Sequence, residues 1–343
     1  MIVRSRAPLR LGLAGGGTDV GPFDERFGGA VLNATISLYA RVTIKEINSC
    51  EITISSANLN QSVTKKLNKK FTINGELDLL KAVFEGVVKR FDLKPKHGLI
   101  INAGVDAPPG SGLGSSSTLV VAMIGALKEL FALPLGEYDI AKIAYEIERL
   151  DLGLEGGKQD QYAATFGAFN FMEFFEKDRV VVNPLDLRPE LVKELEHSIV
   201  LFNGNTSRIS SDIIKEQVKN VSKADSKNIE TLSKIKDNAF VLKKMLISGN
   251  TSRFGEILDE GWKLKRSLAR SISNSQIDKI YSKAIDAGAS GGKISGAGGG
   301  GFMFFFCPGD KRWDVIKALE SYGIVTNFTF VSKGLESWKI NQI

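Results

Sequence analysis

The chain has 343 residues, 43% of them hydrophobic and 24% charged, with a formal net charge of +6. That balance excludes a disordered or fibrous chain and provides for two packed cores, while lysines and arginines spread along the sequence favour a small anionic ligand over nucleic acid. Cys50 and Cys307 are expected as buried thiols; Arg4, Arg6 and Arg10 interrupt any signal-peptide core and no run is long enough to span a membrane, so a cytoplasmic protein without membrane contact is expected.

In chain order, Ile2 to Val3, Ala30 to Ile36, Ala40 to Glu46 and Glu51 to Ser55 are short β-branched or alternating runs, so the first part reads as a sheet. QSVTKKLNKKFTING, ending on Asn74-Gly75, reads as a solvated hairpin, because its lysines lack the interleaved aromatics of a nucleic-acid surface. A helix is predicted from Leu77 to Phe91, followed by the strand GLIINAGVDA. TLVVAMIGALKELF is apolar on nearly every side, the pattern of a buried helix. A further helix, Gly136 to Leu150, places Ile140, Ile143, Ala144 and Ile147 on one face and leaves Glu148 off it. FGAFNFMEF and RVVVNPL read as adjacent strands, and the Pro184 to Pro189 segment suggests domains at residues 1–181 and 182–343. The second part holds the strand SIVLFN, a polar helical region from Ser211 to Ile272, and strands GFMFFFC and NFTFVSKG around one more helix.

Between the predicted strand and the buried helix stands PPGSGLGSSS, residues 108–117. A dinucleotide-binding turn needs glycines at its first, third and sixth positions and an acid at the end of the next strand. Here the glycines are Gly110, Gly112 and Gly114, and Glu129 lies within a helix. A Walker loop needs a lysine where Ser115 and Ser116 stand. A phosphate cradle remains: backbone N–H groups free of Cβ, with Ser115 to Ser117 opening a helix whose positive end faces an anion. Two more clusters, RAPLRLGLAGGGTD near the start and KISGAGGGGF at 293–302, need the same kind of reason, and close approach to a ligand supplies one.

These three motifs, in this order and spacing, resemble the GHMP kinases, the superfamily of galactokinase, homoserine kinase, mevalonate kinase and phosphomevalonate kinase, over the whole chain. Pro108 to Ser116 matches the family's Pro-x-x-x-Gly-Leu-Gly-Ser-Ser pattern, and Gly296 to Gly300 its Gly-Ala-Gly-Gly-Gly signature. The resemblance implies an α/β (α+β) two-domain fold, with an N-terminal domain like ribosomal protein S5 domain 2 and a ferredoxin-like C-terminal domain. It implies ATP and Mg²⁺ as cofactors, with ATP phosphates along Pro109, Gly110, Ser111, Gly112, Leu113, Gly114, Ser115, Ser116 and Ser117. Ser116 and Glu148 would hold the metal, Asp160 in GGKQDQYAATFG would take the catalytic aspartate's place, and Arg10 would be the arginine that holds it ionised. The residues alone leave open a solvated Glu148, a structural Asp160, and the direction of Lys158.

For the acceptor, Gly16, Gly17, Thr18 and Asp19 would form one wall, Asp19 taking two sugar hydroxyls unless it is a turn aspartate, and Gly298 and Gly299 would close from the other domain. The galactokinase Gly-Glu-His is replaced by Gly15-Gly16-Gly17. LGLAGGGTDVGPF, GGAVLNATISLYA and KQDQYAATFGAFN most resemble the bacterial branch acting on D-glycero-D-manno-heptose 7-phosphate, with the fucokinase branch close behind. That branch phosphorylates the anomeric C1 hydroxyl, giving a 1,7-bisphosphate on the way to GDP-heptose. Arg208, at a predicted helix start, would bind the existing phosphate, while Lys263, Lys265, Arg266 and Arg270 read as a solvated basic face. A free-sugar kinase and a silent sugar or nucleotide sensor are the rival expectations. The partners expected are a sugar phosphate and, compatibly, a second copy of the chain, with no nucleic acid.

Overall fold

The computed structural model describes residues 1–204, 213–216 and 226–340. The first strand, β1 (Ile2–Ala14), runs far past the expected Ile2 to Val3, because Arg4 takes the outer face while Val3, Ser5 and Ala7 are buried. Pro8, with no N–H for a ladder, sits at a register shift between Pro8 and Leu9. After the short α1 (Phe23–Phe27) comes β2 (Gly29–Ile47), a single strand where two were expected. The ladder with β1 skips from Ile36 to Tyr39, so the break read from the sequence is a bulge.

β3 (Glu51–Ser56) and β4 (Gln61–Lys66) form a hairpin, and α2 (Asp78–Arg90) leads to β5 (Gly98–Val105). The turn of that hairpin lies at residues 57–60 rather than at Asn74-Gly75. Asn74 and Gly75 instead donate their backbone N–H groups to Asp78 in the first turn of α2. The buried helix is α3 (Ser115–Phe131), and α4 (Glu137–Glu146) ends in a π-turn over Ile147–Asp151, where Leu152 N donates to Ile147 O at 3.1 Å. α5 (Gln159–Phe166), β6 (Phe169–Phe174) and β7 (Val180–Leu185) follow.

The second part contributes α6 (Pro189–Ser198), β8 (Ile199–Asn203), α7 (Ser226–Ser248), α8 (Phe254–Leu268), α9 (Ser275–Asp286), β9 (Gly291–Ile294), β10 (Phe302–Phe306), α10 (Arg312–Leu319), β11 (Ile324–Val325) and β12 (Glu336–Ile340). The polar helical region is divided at Gly249, whose φ of 72° ends α7. NFTFVSKG is not a strand: it makes one bridge, Phe330 to Ile36, with Thr329 and Val331 bonded to Ser37 and Thr35 at the edge of the bulge.

The strands form an eight-stranded sheet, ordered β12-β1-β2-β5-β3-β4 with β6 also on β2 and β7 on β6, and a four-stranded antiparallel sheet, β11-β8-β10-β9. The boundary expected after residue 181 falls inside β7, and β12 brings the chain's end back beside β1. One apolar cluster joins the two sheets, packing Leu9, Leu11 and Leu32 with Leu242, Phe254 and Phe304. Cys307 is buried, which pushes its thiol up to about 12, whereas Cys50 is exposed, contrary to the expectation for both. Among the described residues no helix is long and apolar enough to cross a membrane.

Close backbone packing fixes the return of the C-terminal segment. A Cβ on Gly167, whose φ is +70°, would stand 2.1 Å from Gly334 N, whereas one on Gly75, φ +96°, would meet nothing within 4 Å. Gly167→Ala is therefore expected to cost about 3 kcal/mol, and Gly75→Ala only the left-handed strain of about 1 kcal/mol. Urea unfolding midpoints check this, and equal losses would contradict it.

Candidate active site

The loop between β5 and α3 holds Gly110, Gly112 and Gly114 at φ of 74°, 74° and 79°, a conformation that favours glycine. Part of the reason for its bareness lies in the protein itself. A Cβ on Gly112 would be 2.2 Å from Ser295 O, and one on Gly301 would be 2.5 Å from Ser111 O. Phe302 N donates to Ser111 O at 2.9 Å, so the second and third glycine motifs lie backbone against backbone. They bound a cleft of about 480 Å³, within the range of small-molecule sites. Pro109, Gly110, Gly112, Gly114 and Ser115 to Ser117 face it. Ser111 and Leu113, expected among the phosphate contacts, point inward: Leu113 is part of the core, and Ser111 Oγ accepts from Leu113 N.

Arg10 projects from β1 into the junction of these loops and is only 3% exposed. Its Nε and Nη2 both donate to Asp160 Oδ1 at 2.7 Å, its Nη1 to Gly112 O at 2.6 Å and to Ser295 Oγ at 3.1 Å. Both contacts to Asp160 use Oδ1. Among the described residues Oδ2 has no hydrogen-bond donor, and Asp160 lines the cleft. Asp160 opens α5, and a Cβ on Gly114 would stand 3.1 Å from its Cγ, so the loop glycine makes room for the carboxylate.

Glu148 lies in the π-turn, 1% exposed, where an unbroken α-helix was expected to leave it off the buried face. Ser117 Oγ donates to Glu148 Oε1 at 3.0 Å and Gln161 Nε2 to Oε2 at 2.5 Å. Burial raises the Glu148 carboxyl above its usual range, opposed by Arg149, Gln161 and Ser117. Ser116, the hydroxyl expected beside it, is exposed on the same cleft; Ser117 is the serine that touches Glu148. No cluster of three or more His, Cys, Asp or Glu suited to a metal occurs among the described residues. One buried carboxylate and a hydroxyl beside a phosphate cradle nevertheless fit Mg²⁺, which takes few protein ligands and completes its shell with water and phosphate oxygens.

Asp19 is also buried and accepts from Gly17 N at 3.1 Å, Gln159 N at 3.1 Å and Gln159 Nε2 at 3.3 Å. Burial raises its carboxyl, Gln159 opposes, and Asp160 adds to the rise. Asp19 and Gly17 line a 60 Å³ cavity shared with Arg10, Asp160, Lys265 and Gly296. Gly16 instead lines a neighbouring recess. Thr18 does not face either space: its hydroxyl donates to Gly15 O and Ala30 O and accepts from Ala30 N, which makes it a brace of the loop. Gly298 and Gly299 pack on Ile272, with Gly299 N donating to its carbonyl at 2.8 Å; Gly296 and Ala297 reach the cleft in their place. Arg208 lies outside the described residues.

Lys158 turns away from the cleft and binds Asp24 at 2.8 Å and Asp178 at 2.7 Å. Burial would lower its ammonium, but those two carboxylates hold it above the usual range. Lys265, grouped with a solvated basic face, is buried and donates to Gly296 O at 2.5 Å. Burial lowers its ammonium to about 8, opposed by Asp19 and reinforced by Arg10. Its place on the buried stripe of α8 with Leu258, Trp262 and Leu268 is the signal that separates it from exposed Lys263.

Residues 78–168 match the pattern described as GHMP kinases N terminal domain, and residues 242–325 that of GHMP kinases C terminal. The chain belongs to the GHMP kinases. It is 46% identical to D-glycero-alpha-D-manno-heptose 7-phosphate kinase of Campylobacter jejuni over 98% of this chain and 99% of the relative. A crystal structure of a D-glycero-D-manno-heptose 1-phosphate kinase from Bacteriodes thetaiotaomicron superposes with a TM-score of 0.84 at 42% identity, covering 99% of this chain and 100% of that one. A bifunctional fucokinase/GDP-fucose pyrophosphorylase of Arabidopsis thaliana is 29% identical over 92% of this chain and 31% of its own length. This GHMP kinase is an ATP-dependent phosphotransferase with an alcohol acceptor, and its two-sheet architecture is the family's two-domain fold.

The contacts at Glu148 separate the two serines. Ser117→Ala is expected to raise the Mg²⁺ concentration for half-maximal activity about tenfold, as loss of an orienting partner does, and Ser116→Ala to raise it less. Mg²⁺ titrations at fixed ATP measure both, and the reverse order would return the metal hydroxyl to Ser116.

Proposed function

We propose that this GHMP kinase transfers the γ-phosphoryl group of ATP to the anomeric C1 hydroxyl of D-glycero-D-manno-heptose 7-phosphate. The product is the 1,7-bisphosphate, an intermediate toward GDP-heptose made in the cytoplasm. One observation carries the chemistry: Arg10 grips Asp160 through Oδ1 and, among the described residues, Oδ2 has no donor beside the phosphate loop. A hydroxyl placed there passes its proton to Oδ2 while its oxygen forms the new bond to phosphorus and the bond to the β–γ bridging oxygen breaks, releasing ADP. Arg10 stays charged and offsets negative charge on the transferring group.

The backbone N–H groups of Gly110 to Ser115 and the start of α3 cradle the ATP phosphates. Glu148 would hold Mg²⁺ with a hydroxyl of Ser116 or Ser117, where the ion would supply neutralisation of phosphate charge. Asp19, with Gly16 and Gly17 beside it, accepts sugar hydroxyls; its position on the cavity shared with Asp160 supports that reading. The names of two relatives support a heptose that carries a phosphate, and they differ in where it sits.

Mg²⁺-dependent ADP release separates the possibilities, with heptose 7-phosphate, heptose 1-phosphate, unphosphorylated heptose and fucose as acceptors. Turnover confined to the 7-phosphate, falling by about 10²–10⁴ in kcat in Asp160→Asn, is expected. Preference for the 1-phosphate would move the acceptor hydroxyl, and efficient use of a free sugar would discard the phosphate requirement.

A further inference from the structure

A recess of about 10 Å³ lies between the end of β1, helices α7 and α8, and strand β9, sharing Lys265 with the 60 Å³ cavity that holds Asp19 and Asp160. Among the described residues its polar side chains are Lys265, Lys293 and Asn238, and no carboxylate lines it. Lys293 is 6% exposed, and among the described residues it has neither an ion pair nor a hydrogen bond from its side chain. Asn238 is 7% exposed, and its Nδ2 is a buried donor with no acceptor. Lys265 donates to Gly296 O. Burial, with the positive charges of Lys265 and Arg10, holds the Lys293 ammonium well below its usual range. A buried lysine without a counter-ion and an amide without an acceptor each carry a desolvation cost that an arriving anion offsets.

We infer that this lysine-lined recess binds the phosphate that the acceptor already carries, Lys293 and the Asn238 Nδ2 group taking one phosphate oxygen in the recess and Lys265 reaching the others from the adjoining cavity. Room for about one oxygen matches a recess of this size. The neutral part of the sugar then lies along buried Asp19 toward half-buried Asp160, where carboxylates suit hydroxyl groups and repel a second anion. The inference rests on the reading of a phosphorylated acceptor, and it is independent of Arg208.

Lys293→Met keeps the stem and removes the charge, and Asn238→Leu is a second variant should the first not fold. In either, the KM for heptose 7-phosphate is expected to rise about 10- to 100-fold with the KM for ATP unchanged. Inhibition of the wild type by inorganic phosphate, competitive with the sugar phosphate, should weaken in parallel. An unchanged sugar-phosphate KM in folded variants would overturn the inference while leaving the substrate reading intact, as would an effect of Arg208→Ala alone. If the wild type does not use the heptose 7-phosphate yet binds inorganic phosphate in a Lys293-dependent manner, the recess stands and the substrate reading falls. Absence of phosphate binding in both proteins overturns the recess.

Discussion

The buried guanidinium of Arg10 is the interaction on which the rest of the site depends. A cation removed from water costs several kcal/mol unless it is paired and its N–H groups are satisfied. Here one carboxylate, one carbonyl and one hydroxyl satisfy it, and they come from three separate stretches: Asp160 on α5, Gly112 in the phosphate loop and Ser295 before the last glycine motif. Arg10 N also donates to Leu113 O at 3.1 Å, so the loop is held from β1 by backbone and side chain together. Glycine follows from that convergence. Gly112 and Gly296 pack on one another's segments, and side chains there would force apart the pieces that Arg10 draws together.

The other charges around the cleft divide by the partners they are given. Asp19 and Glu148 are buried among mainly neutral donors, and burial raises both. Asp160 instead meets a cation at 2.7 Å and keeps one oxygen open. Opposite them, burial lowers the ammonium groups of Lys265 and Lys293, opposed at Lys265 by Asp19 and Asp160 and reinforced at Lys293 by Lys265 and Arg10. The site therefore presents a gradient from carboxylates that suit hydroxyls to donors that suit an anion, matching a ligand with a neutral body and a charged end.

Much of this was legible in the sequence because it depends on local rules. Three glycine clusters without linker context required close approach, the apolar TLVVAMIGALKELF required a buried helix, and the resemblance to the GHMP kinases pointed to Arg10 and Asp160. What escaped depends on phase and partners. Ser116 and Ser117 differ by about 100° around a helix, and only the packing of α3 decides which meets Glu148. The π-turn that buries Glu148 inserts an i to i+5 bond that a 3.6-residue period cannot represent. Pro8 and the arginines of β1 masked a long strand because a bulge accommodates the one and the outer face Arg4. Lys265 reads as part of a solvated basic face, and only the packing of α8 against β9 and the end of β1 buries it.

A double-mutant cycle joining Arg10→Gln and Asp160→Asn, read on kcat/KM with both proteins checked for native unfolding midpoints, tests the central claim most directly. If Arg10 acts by gripping Asp160, the double variant should lose little more than the more damaging single one, a strong departure from additivity. Losses that simply multiply would show two independent contributions and contradict the account.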